Sequence, residues 1–540
     1  MPDPSPSLCS EVLATLATPQ AYPHDASAGA GVRWVQTHLS HVFLTGARVY
    51  KFRKDVDLGF VRFTALDERN ADCLREVELN RRLAPDVYLG VAPLEEDRGG
   101  VRVGPAAEDL AALPREHCVV MRRLPEGRDA LTLLEAGTFE PVQIDRVAAR
   151  IAAFHARTRL GKPSPFGVEE WIRRCTQPVE DNYRLLAASP DPLVAAADVA
   201  RAGGRARAFA RERVDRFEAR REEGRAVNGH GDLHLQHIWF ERDDAEPLII
   251  DCLEFSERLR CIDAASDVAF AAMDLQYRGR PRLAERFLRV YARESDDFGL
   301  FGVVDYFVSY RAAVRAKVAA ITAVATEIDP EQREGAAASA GRHLALALRA
   351  LEPRPVGLLV VVGGVVGTGK STAAEVLADA LDAVVISTDR VRKHRLGLGA
   401  AQRPGAERAA QIYTPEEKRR VYAAVAERAR SVLESGRGAV LDGTFSRRED
   451  RDEVRRLAGE LGARVFFVET GCSADVALRR LARRAAAEED PSDAGPDRYR
   501  ASVAAFERLD DWPADLRSLV RTDREGWREA LRAIAADLRT

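Results

Sequence analysis

The sequence predicts an α/β protein of more than one domain, and three observations support this. Its 540 residues exceed the size of one ordinary hydrophobic core. Pro353 and Pro355 interrupt the chain after a helical, alanine-rich region. Beyond them, short apolar segments alternate with helical ones, which is the order of a doubly wound parallel sheet. We therefore expect a mixed α+β domain of two lobes over residues 1–352 and a parallel-sheet α/β domain over residues 353–540.

The N-terminal part combines strand-like and helical segments. Residues 32–52 are rich in β-type side chains, residues 72–83 have helical periodicity, and residues 116–121 are again strand-like. Residues 145–160 and 195–221 then repeat apolar side chains at helical spacing, with mostly arginine between them. This order predicts a small mixed lobe followed by a mainly helical lobe.

The C-terminal part is predicted to contain four buried parallel strands, over residues 358–362, 383–387, 439–441 and 464–468. The first strand leads into residues 364–371, GVVGTGKS, which fit the pattern G-x-x-x-x-G-K-S/T of a phosphate-binding loop (P-loop). Glycines let backbone N–H groups turn inward around phosphate oxygens, the lysine reaches the terminal phosphates, and the serine hydroxyl binds Mg²⁺. We expect ATP to contact Gly364, Gly367, Thr368, Gly369, Lys370, Ser371 and Thr372.

Acidic side chains follow two of the other strands, at the sheet edge where ligands of open α/β sheets bind. Asp389 and Arg392 fall at the start of the next helix, so we expect Asp389 to accept a proton from an acceptor hydroxyl and Arg392 to steady the transferred group. The alternative is that Ser387, Thr388 or Asp389 only caps the helix. Asp442 ends an apolar strand and is a candidate Mg²⁺ ligand together with Ser371.

Two arginines one helical turn apart, Arg480 and Arg484, lie on one face of a predicted helix. Such a face suits a lid that neutralises charge on phosphates, with residues 488–495 as its hinge. The alternative is a solvated, arginine-rich surface.

A second constellation lies upstream. Residues 228–234 read NGHGDLH, and Asp251 follows the apolar residues 248–250. This combination resembles the catalytic and metal loops of the aminoglycoside phosphotransferase and kinase-like superfamily. The resemblance implies that Asp232 orients or deprotonates an acceptor hydroxyl and that Asp251 holds Mg²⁺.

Further residues fit the same resemblance. It implies that Lys51 contacts the α- and β-phosphates and that Glu76 is its ion-pair partner, with Glu78 as the competing choice. Asp267 matches a structural aspartate that braces the catalytic loop, and residues 119–121 match an edge strand leading to the adenine hinge.

Two departures separate the chain from that family. His237 replaces the asparagine that serves as the second metal ligand, and imidazole is a poorer ligand than an oxygen for Mg²⁺. We keep His237 beside Asp251 as a metal candidate; the alternative makes His234 and His237 ordinary loop histidines. Residues 37–42 also lack a glycine-rich turn over the phosphates. The N-terminal domain is thus either a second kinase or a substrate-binding or regulatory module.

The C-terminal motifs resemble P-loop kinases of the polynucleotide kinase and zeta-toxin type over residues 355–509. These are related to gluconate, adenylylsulfate and chloramphenicol kinases. The whole chain resembles bacterial bifunctional fusions of an aminoglycoside phosphotransferase-like domain with a P-loop ATP-binding kinase. The resemblance implies an ATP- and Mg²⁺-dependent kinase whose acceptor is an alcohol group.

Composition narrows the choice of partner. With 46% hydrophobic and 31% charged residues and a net charge of −3, the chain has no overall field that would recruit nucleic acid or a membrane. The seven scattered cysteines suit a reducing compartment, and residues 1–10 lack the basic-then-apolar order of a signal peptide. We expect a cytoplasmic protein with a small-molecule hydroxyl acceptor. No residue pattern indicates an oligomeric state.

Three other functions compete with small-molecule phosphorylation. A 5′-hydroxyl polynucleotide kinase suits the D-x-x-R arrangement but lacks a basic groove interleaved with aromatic residues. A nucleotide-gated switch with little transferase activity also fits the P-loop. Aminoglycoside resistance would need an acidic pocket for cationic drugs, and we predict that the chain does not raise resistance.

Overall fold

The computed structural model describes residues 8–57, 61–97, 100–107, 115–188, 194–325, 329–398, 414–486 and 497–539. The chain divides into two units of tertiary contact. The first contains Met1–Pro178 and Glu218–Arg278, and the second contains Val179–Phe217 and Gly279–Thr540. The second unit therefore includes helices that precede residue 353 in the chain. The domain boundary between residues 352 and 353 stays a prediction.

The elements up to residue 278 make a strand-rich region followed by a helical one. The strands are β1 (Arg33–Gln36), β2 (Ser40–Leu44), β3 (Arg48–Arg53), β4 (Tyr88–Asp97), β5 (Gly100–Val103), β6 (His117–Arg122), β7 (Ala226–Asn228), β8 (Ile238–Trp239), β9 (Leu248–Ile249) and β10 (Cys261–Asp263). The helices are α1 (Ser10–Leu16), α2 (Leu66–Asn80), α3 (Ala130–Glu135), α4 (Pro141–Arg157), α5 (Val168–Ala187), α6 (Ala196–Glu212), α7 (Val214–Glu222), α8 (Glu257–Arg260) and α9 (Ala264–Tyr277).

An antiparallel sheet in the order β1-β2-β3-β6-β4-β5 forms the first part of this region. Helix α2 buries Cys73 and Val77 against Val91, Val119 and Met121 of the sheet, as expected of an amphipathic helix on a mixed lobe. Strand β6 pairs with β3 on one side and β4 on the other, so the prediction that residues 119–121 form an edge strand is wrong. Its continuous burial reflects these two neighbours.

A two-stranded antiparallel sheet and a short hairpin position the upstream motif. Strand β7 ends at Asn228, where it pairs with Cys261 of β10. Strands β8 and β9 pair antiparallel, with Ile238 opposite Ile249. Because β8 begins just after His237 and β9 ends just before Ile250, the hairpin brings the two candidate loops to its open end.

The elements after residue 278 alternate strand and helix once the parallel sheet begins. The strands are β11 (Leu359–Gly363), β12 (Val384–Ser387), β13 (Ala439–Asp442), β14 (Val465–Gly471) and β15 (Arg517–Arg521). The helices are α10 (Pro281–Ser295), α11 (Val304–Val324), α12 (Pro330–Ala350), α13 (Lys370–Leu381), α14 (Thr388–Arg395), α15 (Pro415–Glu434), α16 (Arg448–Leu461), α17 (Ala474–Ala486), α18 (Asp497–Ala504) and α19 (Trp527–Arg539).

A parallel sheet in the order β12-β13-β11-β14-β15 forms the centre of the second unit and confirms the predicted parallel-sheet fold. All five residues of β11 are buried, since the strand has a neighbour on each side and apolar side chains such as Leu377 and Leu531 pack against the sheet. Strand β15 was not predicted. Its sequence, RSLVR, has one buried apolar side chain, Val520, while Leu519 is exposed.

Helices α10 and α11 pack against the parallel sheet within the same unit through buried polar contacts. Arg437 is 4% exposed and donates to both carboxylate oxygens of Glu285 and of Asp305, at 2.7 to 3.0 Å. Arg289 donates to the backbone oxygens of Ala378 and Ala383, both at 2.9 Å. Across the described ranges, none of the helices combines the length and the apolar character needed to cross a membrane.

Candidate functional site

The P-loop connects β11 to α13, as its sequence predicts. Gly364, Gly367 and Gly369 have φ angles of 136°, 81° and 85°, which residues with a side chain rarely adopt. A Cβ at Gly364 would lie 2.5 Å from the backbone oxygen of Thr470, and one at Gly367 would lie 2.9 Å from that of Ala477. The loop therefore requires glycine at these positions for its shape and its close packing.

The side chains that follow the loop converge on the end of β13. Lys370 Nζ donates to the Val365 backbone oxygen at 2.9 Å, and the Ser371 hydroxyl donates to Asp442 Oδ2 at 2.8 Å. Thr368 Oγ1 donates to the same Val365 oxygen at 2.8 Å. The lysine is thus held beside the loop.

Burial sets the electrostatics of this cluster. It lowers the pKa of Lys370, an effect that Asp442 and Asp389 partly offset. It raises the pKa of Asp442 to about 6, against the opposing effects of Lys370 and Ser371. Asp442 Oδ1 is buried and, within the described part of the chain, accepts no hydrogen bond. A carboxylate oxygen without a partner beside a serine hydroxyl fits Mg²⁺, which prefers oxygen ligands.

A cavity of about 500 Å³ opens over the loop. Of the predicted residues, Gly367, Gly369, Lys370, Ser371, Asp389, Arg392, Asp442 and Arg484 line it. Lys418 and Arg498 also line it and were not predicted. Arg498 is one of many arginines and carries no signal that separates it from a surface residue, whereas Lys418 is one of only seven lysines in the chain, and that scarcity is a signal that could have found it.

Asp389 and Arg392 lie together in α14, at the carboxyl end of β12. Arg392 Nη1 donates to Asp389 Oδ1, and both residues line the cavity. Ser387 occupies the N-cap position of α14 but makes no side-chain capping hydrogen bond. Ser387 therefore does not cap the helix through its side chain, and Asp389 and Arg392 face the cavity and contact each other.

The remaining predicted residues of this region lie apart from the cavity lining. Arg480 is not among the lining residues and donates to Thr522, to Oγ1 at 2.8 Å and to the backbone oxygen at 3.0 Å. That it faces the phosphates together with Arg484 stays a prediction. Thr372 is exposed in the first turn of α13. The predicted hinge, residues 488–495, lies outside the described residues.

The upstream site is built around a half-buried lysine. Lys51 Nζ donates to Glu76 Oε1 at 3.0 Å and to Asp251 Oδ1 at 2.8 Å. Glu76 is fully buried and also accepts from Arg53 at 2.6 Å, whereas Glu78 is exposed. Of the two predicted partners, the structure thus pairs Glu76 with Lys51.

Asp267 holds the loop that carries Asp232. It accepts from the backbone N–H groups of His230 and Gly231, at 2.7 and 2.8 Å, and contacts His155 Nε2 at 2.9 Å. Burial raises the pKa of Asp267, but His155 and the other donors lower it more, so the net pKa lies well below its usual range. His155 was not predicted, because a histidine on the apolar face of α4 looks like an ordinary core residue.

The loop brings Asp232, His234 and His237 together beside Asp251. His237 Nδ1 lies 2.9 Å from the backbone oxygen of Asp232, and its Nε2 lies 3.3 Å from Asp251 Oδ2. Burial, with His234, lowers the pKa of His237 to about 4. Since Asp251 already binds Lys51 and its other oxygen faces an imidazole nitrogen, the donor set fits Mg²⁺ poorly.

Comparison with known proteins places both halves of the chain. Residues 46–301 match the model of the phosphotransferase enzyme family, and residues 359–509 match that of an AAA domain. The uncharacterized proteins Rv2004c of Mycobacterium tuberculosis and Mb2027c of Mycobacterium bovis are each 33% identical to the chain over 477 residues, covering 88% of it and 90% of the relative.

The chain is also similar to solved structures of kinases. A choline/ethanolamine kinase family protein from Mesorhizobium loti is 14% identical, covers 63% of this chain and 98% of its own, and has a TM-score of 0.36. A gluconokinase from Sinorhizobium meliloti is 22% identical, covers 35% of this chain and 98% of its own, and has a TM-score of 0.24.

The fold and the family models define a phosphotransferase-type protein with an N-terminal kinase-like domain and a C-terminal P-loop kinase domain. Because the similarity to the mycobacterial relatives extends over nearly the whole of both chains, this chain belongs to their family.

Proposed function

We propose that the C-terminal P-loop domain transfers the γ-phosphate of ATP to a hydroxyl of a small molecule, in a reaction that requires Mg²⁺. One observation carries this proposal: Lys370, Ser371 and Asp442 share a cavity of about 500 Å³ with the pair Asp389 and Arg392. A site that has phosphate-binding and candidate acceptor-binding groups around one cavity suits transfer between two bound substrates.

The phosphate side of the cavity would bind the nucleotide through the loop N–H groups and Lys370. Lys370 would exchange its contact with the Val365 oxygen for phosphate oxygens. Mg²⁺, when bound, would neutralise charge on the phosphates. Ser371 and Asp442 would hold it, since Asp442 Oδ1 is buried without a partner among the described residues.

The acceptor side would orient the hydroxyl. Asp389 is the candidate base, and Arg392, which donates to it, would steady either the acceptor or the transferred phosphoryl group. Arg484 lines the same cavity and would add positive charge near the transition state. Arg480 would contribute indirectly, because Thr522, to which it donates, itself donates to the Thr368 backbone oxygen at 2.7 Å.

The N-terminal domain would act as a second kinase or as a substrate-binding or regulatory module. The ion pairs of Lys51 with Glu76 and Asp251 support the first role, since they join the groups that such a kinase aligns. His237 supports the second, because it supplies a nitrogen where Mg²⁺ favours oxygen.

The test is transfer of labelled γ-phosphate from ATP into a small-metabolite extract, with Arg532→Ala, an exposed residue, as the matched control. We expect Lys370→Ala to abolish the transfer and Asp232→Ala to leave it. Transfer that survives Lys370→Ala and disappears in Asp232→Ala would move the chemistry to the N-terminal domain.

Two further acceptor conditions separate the alternatives. Label that enters only a 5′-hydroxyl oligonucleotide would identify a polynucleotide kinase. ATP hydrolysis that no hydroxyl compound raises would favour a nucleotide-gated switch.

A further inference from the structure

Three side chains of the upstream loop form a compact cluster of metal-binding groups. Asp232, His234 and His237 each offer one ligand atom, and these atoms all lie within 4.8 Å of one another. His234 Nε2 lies 3.6 Å from Asp232 Oδ2. Two ligands of a tetrahedral ion, each about 2.1 Å from it, are about 3.4 Å apart. His234 Nε2 and Asp232 Oδ2 are therefore already close to the spacing of two ligands of one ion.

The contacts of His237 fix which way its two ring nitrogens face: Nδ1 lies 3.8 Å from Asp232 Oδ2, and Nε2 faces Asp251 at the border of the cluster. The backbone oxygen of Asp232 only accepts, so the Nδ1 that lies 2.9 Å from it carries the hydrogen. In the neutral ring, Nε2 then presents a lone pair to Asp251 Oδ2, a second acceptor, at 3.3 Å. Two acceptors at that distance call for a cation between them. An N–H fixed by a backbone carbonyl is also the usual support of a metal-binding histidine.

The neighbouring His230 has a different role. Its Nε2 lies 2.9 Å from the Ile250 backbone oxygen, and its Nδ1 accepts from the Asp232 N–H at 3.3 Å. Both of its ring nitrogens are thus engaged with the backbone. His234 and His237 instead lie with their rings 3.8 Å apart, next to the Asp232 carboxylate. The loop therefore contains one structural histidine and two that are placed as ligands.

The donor set selects the class of ion. Two imidazoles and a carboxylate suit Zn²⁺, Co²⁺, Fe²⁺ or Mn²⁺, whereas Mg²⁺ prefers an all-oxygen octahedron. We infer that Asp232, His234 and His237 bind one divalent first-row transition ion, with Asp251 at the border of the site. This inference does not depend on phosphate transfer in the C-terminal domain.

An ion at this position engages the Asp232 carboxylate. In a kinase-like domain that carboxylate would orient an acceptor hydroxyl. Occupation by a transition ion therefore opposes phosphate transfer at the N-terminal site and makes this domain a metal-binding module of the chain.

The experiment is a Co²⁺ titration of the full-length chain after removal of metals with a chelator, followed by visible absorption and calorimetry. We expect one Co²⁺ per chain, bound in the presence of excess Mg²⁺ and displaced by Zn²⁺. His234→Gln and His237→Asn should each weaken binding by at least about 10-fold. Circular dichroism establishes that both variants are folded.

Two control variants locate the ion. His38→Ala removes an exposed histidine and Cys9→Ser removes an exposed thiol, and neither should change Co²⁺ binding. Binding that survives both loop variants, that disappears in either control, or that Mg²⁺ displaces at equal concentration would overturn the inference.

Discussion

The raised pKa of Asp442, the proposed Mg²⁺ ligand of the P-loop domain, predicts the pH at which Mg²⁺ binding should weaken. Burial raises this pKa to about 6 from the ordinary 3.8, despite the nearby Lys370 and Ser371. A carboxylate must be ionised to bind Mg²⁺. Mg²⁺-dependent binding of ATP should therefore weaken as the pH falls through about 6, rather than through the range of an exposed aspartate.

The size of the effect follows from a single titration. A carboxyl group with a pKa of about 6 is roughly 90% ionised at pH 7 and roughly 10% ionised at pH 5. The Mg²⁺-dependent part of ATP affinity should fall about tenfold over that interval.

The same pKa shift affects stability. Because the pKa of Asp442 is about 6 in the folded protein and 3.8 as an ordinary aspartate, folding of the ligand-free protein takes up a proton at a pH between these two pKa values. Its stability therefore falls as the pH rises through that window, and Mg²⁺ should restore it.

Calorimetric titration with ATP, with and without Mg²⁺, from pH 8 to pH 5 measures this directly. Asp442→Asn should remove both the Mg²⁺ dependence and the acid limb. Asp475→Asn, an exposed acid at the start of α17, should leave both in place. A wild-type midpoint near pH 4, or an acid limb that persists in Asp442→Asn, would refute the assignment.

Three further predictions concern charged side chains. Arg437→Ala should lower the free energy of unfolding by about 3–5 kcal/mol in a urea titration, because it removes the hydrogen-bonded partner of two partly buried carboxylates and leaves only the more distant Arg354, 3.9 Å from Asp305; a loss below about 1 kcal/mol would match an exposed pair instead. Arg484→Ala should lower the phosphate-transfer rate by about 10²-fold or more, and Arg480→Ala by less, since only Arg484 lines the cavity; equal losses would contradict this. Glu76→Gln should destabilise the protein strongly and Glu78→Gln by no more than about 0.5 kcal/mol, as thermal melts would show.

The parts of the fold that depend on contiguous residues could be predicted from the sequence. The P-loop is one such part, because its glycines, Lys370 and Ser371 follow one another and the strand before them is uniformly apolar. Parallel pairing of the sheet also follows from the alternation of strand and helix. Strand β15 could not be found in this way, because its single buried apolar residue, Val520, makes no pattern.

Residues brought together from distant segments were harder to predict. The sequence left open whether Glu76 or Glu78 is the partner of Lys51. The structure distinguishes the two acids, because Glu76 is buried and Glu78 is exposed. Arg480 and Arg484 share a face on α17, yet Thr522 of a remote segment accepts hydrogen bonds from the first. The cavity residue Lys418 comes from α15 and has no local motif. In each case the deciding information is a contact that the local sequence does not contain.

Residues of α10 and its C-terminal end, which precede residue 353, contact the helices that carry part of the proposed acceptor site. Arg390, in the same helix as Asp389, donates to Glu294 at 3.2 Å, and Arg428 of α15 pairs with Asp296. Helix α10 therefore supports the two helices that carry Asp389 and Lys418 within one unit of tertiary contact. Because an ion pair fixes the direction as well as the position of a guanidinium group, a change in α10 would reach the cavity through α14. The proposed acceptor site is thus supported by contacts from both sides of the proline-rich segment at which the sequence predicts a boundary.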